Sequence, residues 1–242
     1  MPAIEAGEDN ADMAARKKST SGRKSTVSLG DRLIRCYASA VHDVLKGMGH
    51  GNCVLPTTIR PLDPRVKVAG EVYTISGRVD QTMSKHETLL RWARVLSKIP
   101  PGKVIVCQPN THAIALMGEL SARALMVKKT RGYVVDGACR DTDFILDMRF
   151  PVFCTHNTPA DIVETWIPDE HLFGEPVTMG TVTVRTGDHL LGDRDGIVVL
   201  PKDMAADAVA ETERVVSTES DMRKSILAGM DPEKAYLKYG KF

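Results

Sequence analysis

In the middle of the chain, short apolar segments of strand type alternate with segments of helical periodicity. Strands that alternate with helices of this length are typical of a sheet whose strands are joined by helical crossovers. The sequence therefore predicts an α/β fold, and this prediction constrains every other assignment. The predicted strands are 103–108, 133–136 and 151–154, and the predicted helices between them are 118–129 and 142–148.

Flanking segments extend this architecture on both sides. Apolar residues recur at helical spacing from Ser28 until a glycine-rich stretch at 47–51, which predicts one amphipathic helix. A strand at 66–75 and a helix at 84–96 follow. Short strands are then predicted at 181–184, 188–193 and 196–201, and a long polar helix at 203–227. We therefore expect an α/β core, a short β-rich layer and a long C-terminal helix.

The first 26 residues differ in composition from the rest. They are rich in Ala, Ser, Lys, Arg and acidic residues, and such a segment cannot offset the entropy lost on ordering. We predict a flexible tail at 1–26. Because no linker or internal repeat interrupts residues 27–242, we predict that they form a single domain.

Charge and cysteine content limit the classes of function. With 32 basic and 31 acidic residues, the net charge of +1 gives no overall field that would recruit nucleic acid or an anionic membrane. The longest uncharged apolar runs are far shorter than the roughly 20 residues of a membrane span. Five cysteines without a CxxC pair indicate a reducing compartment. The sequence predicts a cytoplasmic protein without nucleic-acid or membrane partners.

The predicted helix that begins near Gly118 is a candidate anion site. The first amides of a helix lack intrahelical partners, and the aligned peptide dipoles add partial positive charge there. Glycine lets the backbone approach a ligand closely, because it has no Cβ. A carboxylate or phosphate would be held by these amides. The alternative is that Gly118 only forms a tight turn.

Arg140 and Asp141 follow the predicted strand 133–136. Residues at the carboxyl ends of strands in α/β sheets face the crevice in which ligands bind. A guanidinium can hold a planar carboxylate with two parallel N–H bonds, and a carboxylate oxygen suits Mg²⁺. The pair therefore predicts an anion-and-metal site. The alternative is an incidental surface ion pair.

These motifs, taken together, resemble a known family. The matching segments are 118–121 (Gly, Glu, Leu, Ser), 134–143 with Gly137 and Arg140-Asp141, and the Gly-Asp-containing stretch 187–201. They are similar to 4-hydroxy-4-methyl-2-oxoglutarate aldolases and to proteins like regulator of ribonuclease E activity A. The resemblance covers about residues 28–240. It implies an α/β fold with a swivelling β/β/α core, assembled as trimers or hexamers with sites at subunit interfaces.

The resemblance also implies an activity. The family contains class II aldolases, which use Mg²⁺ or Mn²⁺ to cleave a 4-hydroxy-2-oxo dicarboxylic or tricarboxylic acid to pyruvate and a second oxo acid. Members often decarboxylate oxaloacetate as well. By position, Arg140 would hold the pyruvyl group and Asp141 would ligate the metal. The backbone that would bind the pyruvyl carboxylate and keto group belongs to Gly118, Glu119, Leu120 and Ser121.

Further acidic residues enter through the same resemblance. Glu119 would act through a metal-bound water, and a C-terminal acidic residue of a neighbouring subunit would lie near the site. Glu219 is the candidate for that residue, ahead of Glu213.

A non-catalytic protein that binds and inhibits a ribonuclease is the competing hypothesis. In the ribonuclease regulators the acidic residue after the arginine is missing, whereas this chain has Asp141. Other classes lack their motifs, because the sequence contains no GxxxxGK[ST] or GxGxxG loop, no HExxH and no GxSxG elbow. A menaquinone methyltransferase, another label attached to this family, would need a methyl-donor loop that is absent here. Metal-dependent aldolase is therefore the leading hypothesis.

Overall fold

A mixed sheet of eight strands forms the centre of the fold in a computed structural model that describes residues 27–240. The predicted tail at 1–26 lies outside the described residues. The strands are β1 (Arg60–Pro61), β2 (Val68–Val79), β3 (Val104–Gln108), β4 (Ala115–Met117), β5 (Gly132–Val135), β6 (Ala138–Cys139), β7 (Val152–Cys154), β8 (His156–Asn157), β9 (Trp166–Pro168), β10 (Val177–Met179), β11 (Val182–Val184), β12 (His189–Gly192) and β13 (Ile197–Leu200). The helices are α1 (Leu29–Leu33), α2 (Ala38–Gly47), α3 (Lys85–Lys98), α4 (Glu119–Val127), α5 (Thr142–Met148), α6 (Ala205–Leu227) and α7 (Pro232–Tyr239).

The main sheet has the strand order β1-β7-β5-β3-β2-β12-β13, and β9 pairs with the far end of β2. Neighbours from β2 through β3 and β5 to β7 run parallel, whereas β12 and β13 are antiparallel. Parallel strands need crossover connections, and α3, α4 and α5 supply them. The predicted α/β class is confirmed.

A second, three-stranded parallel sheet, β4-β6-β8, positions the candidate site. Met117 of β4 pairs with Cys139 of β6, and the amide of Arg140 donates to the Met117 carbonyl at 2.8 Å. Gly118 and Arg140, which directly follow these two strands, are therefore neighbours. Strands of two or three residues carry too little periodicity to be predicted from sequence.

The core fills both faces of the main sheet. One apolar cluster lies between the sheet and α3–α5, and Trp166, Tyr133 and Leu125 are among its buried residues. A second cluster lies on the opposite face and includes buried residues of β10 and β11, such as Met179 and Val184. The predicted short strands are confirmed as β11, β12 and β13: β11 pairs with β10 in a separate two-stranded sheet, and β12 and β13 extend the main sheet.

The single helix predicted from Ser28 to residue 47 is wrong, because the structure divides it into α1 and α2. At the break, the amide of Ala38 donates to a carboxylate oxygen of Asp193 at 2.8 Å. The Cys36 carbonyl accepts from the Lys67 ammonium at 2.8 Å. These distant partners satisfy backbone groups that a continuous helix would have satisfied locally. Both halves still bury apolar residues in one cluster, so the helical spacing persists through the break.

The long C-terminal helix is confirmed as α6, which has 23 residues. It packs on α2 through buried side chains such as Val209 and Ala208. A further helix, α7, follows and is capped by Asp231, whose carboxylate accepts the amides of Glu233 and Lys234. Within residues 27–240, no helix has both the length and the apolar character needed to cross a membrane.

Candidate functional site

A cavity of about 190 Å³ lies where the amino end of α4 meets the residues that follow β6. Pockets for drug-sized ligands span roughly 300–1,000 Å³, so this volume suits a small metabolite. Gly118, Leu120, Ser121, Arg140 and Asp141 all line it. Five of the six residues predicted from sequence to form the site are therefore brought together.

Gly118 is required because the Asp141 carboxylate occupies the space that a side chain would fill. A Cβ built at Gly118 would lie only 2.7 Å from Oδ2 of Asp141 and 3.2 Å from Cγ of Arg140. The backbone of Gly118 is extended, with φ −145°, so the requirement is one of space and not of conformation. The amide of Glu119 donates to Oδ2 of Asp141 at 3.2 Å. The carboxylate therefore lies directly on the amino terminus of α4.

Asp141 itself has a left-handed backbone, with φ 55° and ψ 38°. This conformation is uncommon for residues other than glycine, although aspartate tolerates it better than most. Asp141 precedes α5, yet its carboxylate accepts the amide at the start of α4 instead of capping its own helix. Such backbone conformations concentrate at functional sites, where the surrounding structure holds them in place.

Arg140 lies between two carboxylates without a close hydrogen bond to either. Its Nε is 3.5 Å from Oδ2 of Asp141, and its Nη1 is 3.4 Å from Oδ2 of Asp161. Charge-assisted hydrogen bonds are shorter, at about 2.7–2.9 Å. The side chain is 37% exposed. The guanidinium therefore retains donor capacity for an anion that enters the cavity.

The remaining residues of the first turn of α4 have different surroundings. The Ser121 hydroxyl accepts the indole N–H of Trp92 at 2.9 Å. The Glu119 carboxylate does not line the cavity, because it pairs with Arg123 one helical turn away at 2.8 Å. Leu120 is 78% exposed at the mouth of the cavity. The amides of Leu120 and Ser121 belong to the first turn, where intrahelical acceptors are lacking.

Sequence reasoning missed two polar residues of the cavity, Trp92 and Asp161. Both lie at least 20 residues from Arg140 or Asp141 in the chain, in a helix and in the loop before β9, and no local motif marks them. The two acidic candidates on α6, Glu213 and Glu219, do not line the cavity within this chain. Glu213 pairs with Arg32 through two hydrogen bonds of 3.0 and 2.7 Å, and Glu219 lines a separate groove with Met222.

Cys139, beside Arg140, does not have the environment of a nucleophile. It is fully buried, and a hydrogen bond with Cys154 together with burial raises the pKa of its thiol well above the ordinary value. The thiolate is the reactive form of cysteine, so Cys139 is a small core side chain. Across residues 27–240 there is also no cluster of three or more His, Cys, Asp or Glu side chains arranged to hold a metal ion.

Comparison with known proteins identifies the family. A family model described as RraA-like, Aldolase/RraA, matches residues 38–199, more than half of the 242-residue chain. The chain belongs to the RraA-like family. The matched range contains every residue that lines the cavity, from Leu89 on α3 to Val163.

Several known proteins are similar over most of the chain. Protein DlpA of Legionella pneumophila is 28% identical over 86% of this chain. The matching region makes up only about a third (33%) of the length of DlpA. A putative 4-hydroxy-4-methyl-2-oxoglutarate aldolase of Halalkalibacterium halodurans is 27% identical, covering 82% of this chain and 89% of that protein. The crystal structure of Streptomyces coelicolor RraAS2, described as an unusual member of the RNase ES inhibitor RraA protein family, superposes with a TM-score of 0.69. It is 28% identical and covers 81% of this chain and 96% of its own.

Proposed function

We propose that this protein is a divalent-metal-dependent lyase that cleaves a 4-hydroxy-2-oxo acid to pyruvate and a second carbonyl compound. One observation carries the proposal: Arg140, Asp141 and the amino terminus of α4 line a single cavity of metabolite size. A cation, a guanidinium and helix amides are the groups that a 2-oxo carboxylate would need. The relative named as a putative aldolase supports the same class.

The cavity residues fit Mg²⁺ or Mn²⁺. Asp141 supplies a hard oxygen and is 38% exposed, and Mg²⁺ is commonly held by one or two carboxylates while it keeps several waters. Among the described residues that line the cavity, none is a histidine or a cysteine, the ligands that favour zinc. The absence of a Cβ at Gly118 leaves room for the Asp141 carboxylate at the amino terminus of α4. When bound there, the cation would act as a Lewis acid that stabilises negative charge on the pyruvyl group.

The chain's own residues then account for binding and charge stabilisation. In the reaction, the C4 hydroxyl loses its proton and becomes a carbonyl, and the C3–C4 bond breaks. The electron pair passes to the pyruvyl fragment as an enolate, which takes up a proton at C3 to give pyruvate. Arg140 would hold the carboxylate of this fragment, and the first-turn amides of α4 would face its developing negative charge. No lysine Schiff base is required.

We also propose that the protein assembles as a homotrimer or hexamer in which a neighbouring subunit contributes an acidic residue to the cavity. Glu219 remains the candidate. Glu213 is disfavoured because Arg32 of the same chain already binds both of its oxygens, and this pairing lowers the pKa of its carboxyl. Light scattering would test the assembly directly, and a monomeric mass would contradict it.

A coupled assay of pyruvate release, run over a panel of 4-hydroxy-2-oxo acids and oxaloacetate, tests the proposed function. We expect turnover that depends on Mg²⁺ or Mn²⁺ and is lost when the metal is chelated. Turnover that persists after chelation would contradict the metal dependence. The absence of turnover with every acid, together with a stoichiometric complex with a ribonuclease scaffold, would favour the non-catalytic alternative.

A further inference from the structure

Asp161, in the loop between β8 and β9, contacts the guanidinium of Arg140 at a different nitrogen from Asp141. Its Oδ2 lies 3.4 Å from Nη1 of Arg140, whereas Oδ2 of Asp141 lies 3.5 Å from Nε. All three residues line the cavity. Because the guanidinium is planar and rigid, carboxylates beside two of its nitrogens orient it more closely than one carboxylate would. At these distances they orient the guanidinium without saturating its donors, so that it can still bond a ligand.

The loop that carries Asp161 is tied to the rest of the fold. Oδ1 of Asp161 accepts the amide of Val163 at 3.1 Å, so the two oxygens of this carboxylate have separate partners. The carbonyl of the preceding residue accepts the amide of Ala115, on β4, at 2.9 Å. A further amide of the loop donates to the hydroxyl of Thr88, a buried residue of α3, at 3.3 Å. The carboxylate therefore meets Arg140 without having to order a free segment of chain.

The two carboxylates beside Arg140 differ in their other partners. In the proposed function Asp141 ligates the divalent cation, which then competes with the guanidinium for the charge of that carboxylate. The second partner of Asp161 is a backbone amide, which does not compete in this way. Both contacts of Asp161 are formed within one chain. Asp161 can therefore keep Arg140 oriented when the cation occupies Asp141.

We infer that Asp161 is a positioning residue: it orients the Arg140 guanidinium toward the carboxylate of the pyruvyl group while Asp141 binds the cation. This inference rests on the proposed function and adds a residue to its machinery. The substrate carboxylate carries its charge in the ground state and in the transition state alike, so a well-oriented Arg140 strengthens the binding of both to a similar extent. Loss of the Asp161 charge should therefore raise KM and leave kcat nearly unchanged.

The Asp161→Asn variant tests this role in the full chain with Mg²⁺. It removes the charge but keeps an oxygen that can accept the Val163 amide, so the turn of the loop is retained. The ion pair is partly exposed, at 37% for Arg140 and 43% for Asp161, and exposed pairs are weak. We expect KM for pyruvate release from a 4-hydroxy-2-oxo acid to rise about three- to fivefold, with kcat within about twofold of the parent value.

Glu164→Gln is the matched control, because Glu164 is exposed in the same loop and does not line the cavity. It should keep the KM of the parent protein. An unchanged KM in Asp161→Asn, an equal rise in Glu164→Gln, or a loss confined to kcat would overturn the inference and leave the proposed lyase function intact. Failure of the parent protein to release pyruvate would instead contradict the proposed function.

Two further measurements test whether Asp161 acts through Arg140. In an Arg140→Gln background, Asp161→Asn should lower kcat/KM by less than about twofold, because the group that it positions is already lost. Effects that multiply in full would show that Asp161 acts independently, and would overturn the inference. Calorimetry needs no turnover: in Asp161→Asn the Kd of pyruvate, measured with Mg²⁺, should rise by about the same factor as KM, and the affinity for Mg²⁺ should stay unchanged. Weaker Mg²⁺ binding would show that Asp161 ligates the cation, and would overturn the positioning role.

Discussion

Two arginines that lie nine residues apart in sequence, Arg131 and Arg140, flank strands of two different sheets. Arg131 precedes β5 and is closely bound: its Nε donates to the Ala69 carbonyl, and its Nη1 lies 2.8 Å from Asp31. Arg140 follows β6 and lies at 3.5 and 3.4 Å from its two carboxylates. Arg131 is 27% exposed, against 37% for Arg140.

The difference separates an arginine that is engaged within the protein from one that is available to a ligand. Arg131 has short contacts with a backbone carbonyl and a carboxylate, and Gly30 and Gly70 pack directly against it. Its Nε and Nη1 are both engaged within the protein. Arg140 faces a cavity, and its carboxylate contacts are long enough to be exchanged for a ligand. We therefore expect substitutions around Arg140 to reduce turnover and substitutions around Arg131 to reduce stability.

Replacing Asp141 should have the largest effect. Asp141→Asn keeps the shape of the side chain and tolerates the left-handed backbone, but it removes the charge that would hold the metal. We expect kcat/KM for pyruvate release to fall by roughly 10²–10³-fold, with little change in the melting temperature. Asp143→Asn, on the exposed side of α5, is the control and should retain activity. Equal activity of the two variants would remove Asp141 from the site.

Exchange of each arginine for lysine compares their two roles directly. Arg140→Lys should lower kcat/KM by about 10²-fold, because an ammonium cannot hold a carboxylate bidentately. Arg131→Lys should keep kcat/KM but lower the free energy of unfolding by about 1–2 kcal/mol, because the Ala69 carbonyl loses its donor. Chemical denaturation and steady-state kinetics on both proteins measure the two effects. The proposed difference between the two arginines would be contradicted if both variants lost kcat/KM, or if both lost only unfolding free energy.

Substitutions at two glycines, one beside each arginine, should show the same contrast with smaller effects. In Gly118→Ala the new Cβ would displace the Asp141 carboxylate, and we expect about a tenfold loss of kcat/KM with the fold retained. In Gly70→Ala the Cβ would lie 2.5 Å from Cδ of Arg131 and 3.3 Å from Val104. There we expect a loss of about 1–3 kcal/mol in unfolding free energy and normal kcat/KM in the folded fraction. Unchanged kinetics in Gly118→Ala would show that the Asp141 carboxylate does not depend on that space.

The smallest predicted effect concerns the acid sensitivity of the ion pair between Asp31 and Arg131. Hydrogen bonds from Ser28 and Arg131 hold the pKa of Asp31 below its ordinary value of 3.8. A carboxyl whose pKa is lower in the folded state stabilises the fold above its unfolded-state pKa, and this stabilisation is lost as pH falls through the folded-state pKa. Asp31→Asn should therefore destabilise the protein slightly at pH 7, and the difference from the parent should disappear at pH values well below 3.8. Urea denaturation at both pH values measures this, and a difference that persists in acid would contradict it.

Much of the fold could be predicted from the sequence because its central elements are long enough to show a period. The helices α3, α4, α5 and α6 and the strands β3, β5 and β7 lie close to their predicted positions. The break between α1 and α2 could not be predicted, because it depends on Asp193 and Lys67, which are distant in sequence. The short strands β4, β6 and β8 were missed for lack of length, although they bring the site together.

The candidate site divides in the same way. Gly118 and Arg140-Asp141 could be predicted because each stands at the end of a predicted element, where α/β folds expose functional groups. Trp92 and Asp161 could not, since only tertiary packing brings them to the cavity.

The central claim is that Asp141 holds a divalent cation beside a pyruvyl site formed by Arg140. Electron paramagnetic resonance during a Mn²⁺ titration, with and without pyruvate, measures this without requiring turnover. We predict that the parent protein and Asp143→Asn bind Mn²⁺ and that pyruvate changes the spectrum of the bound ion. Asp141→Asn should show neither effect. Mn²⁺ binding that is unchanged in Asp141→Asn, or a spectrum insensitive to pyruvate in the parent protein, would contradict the account.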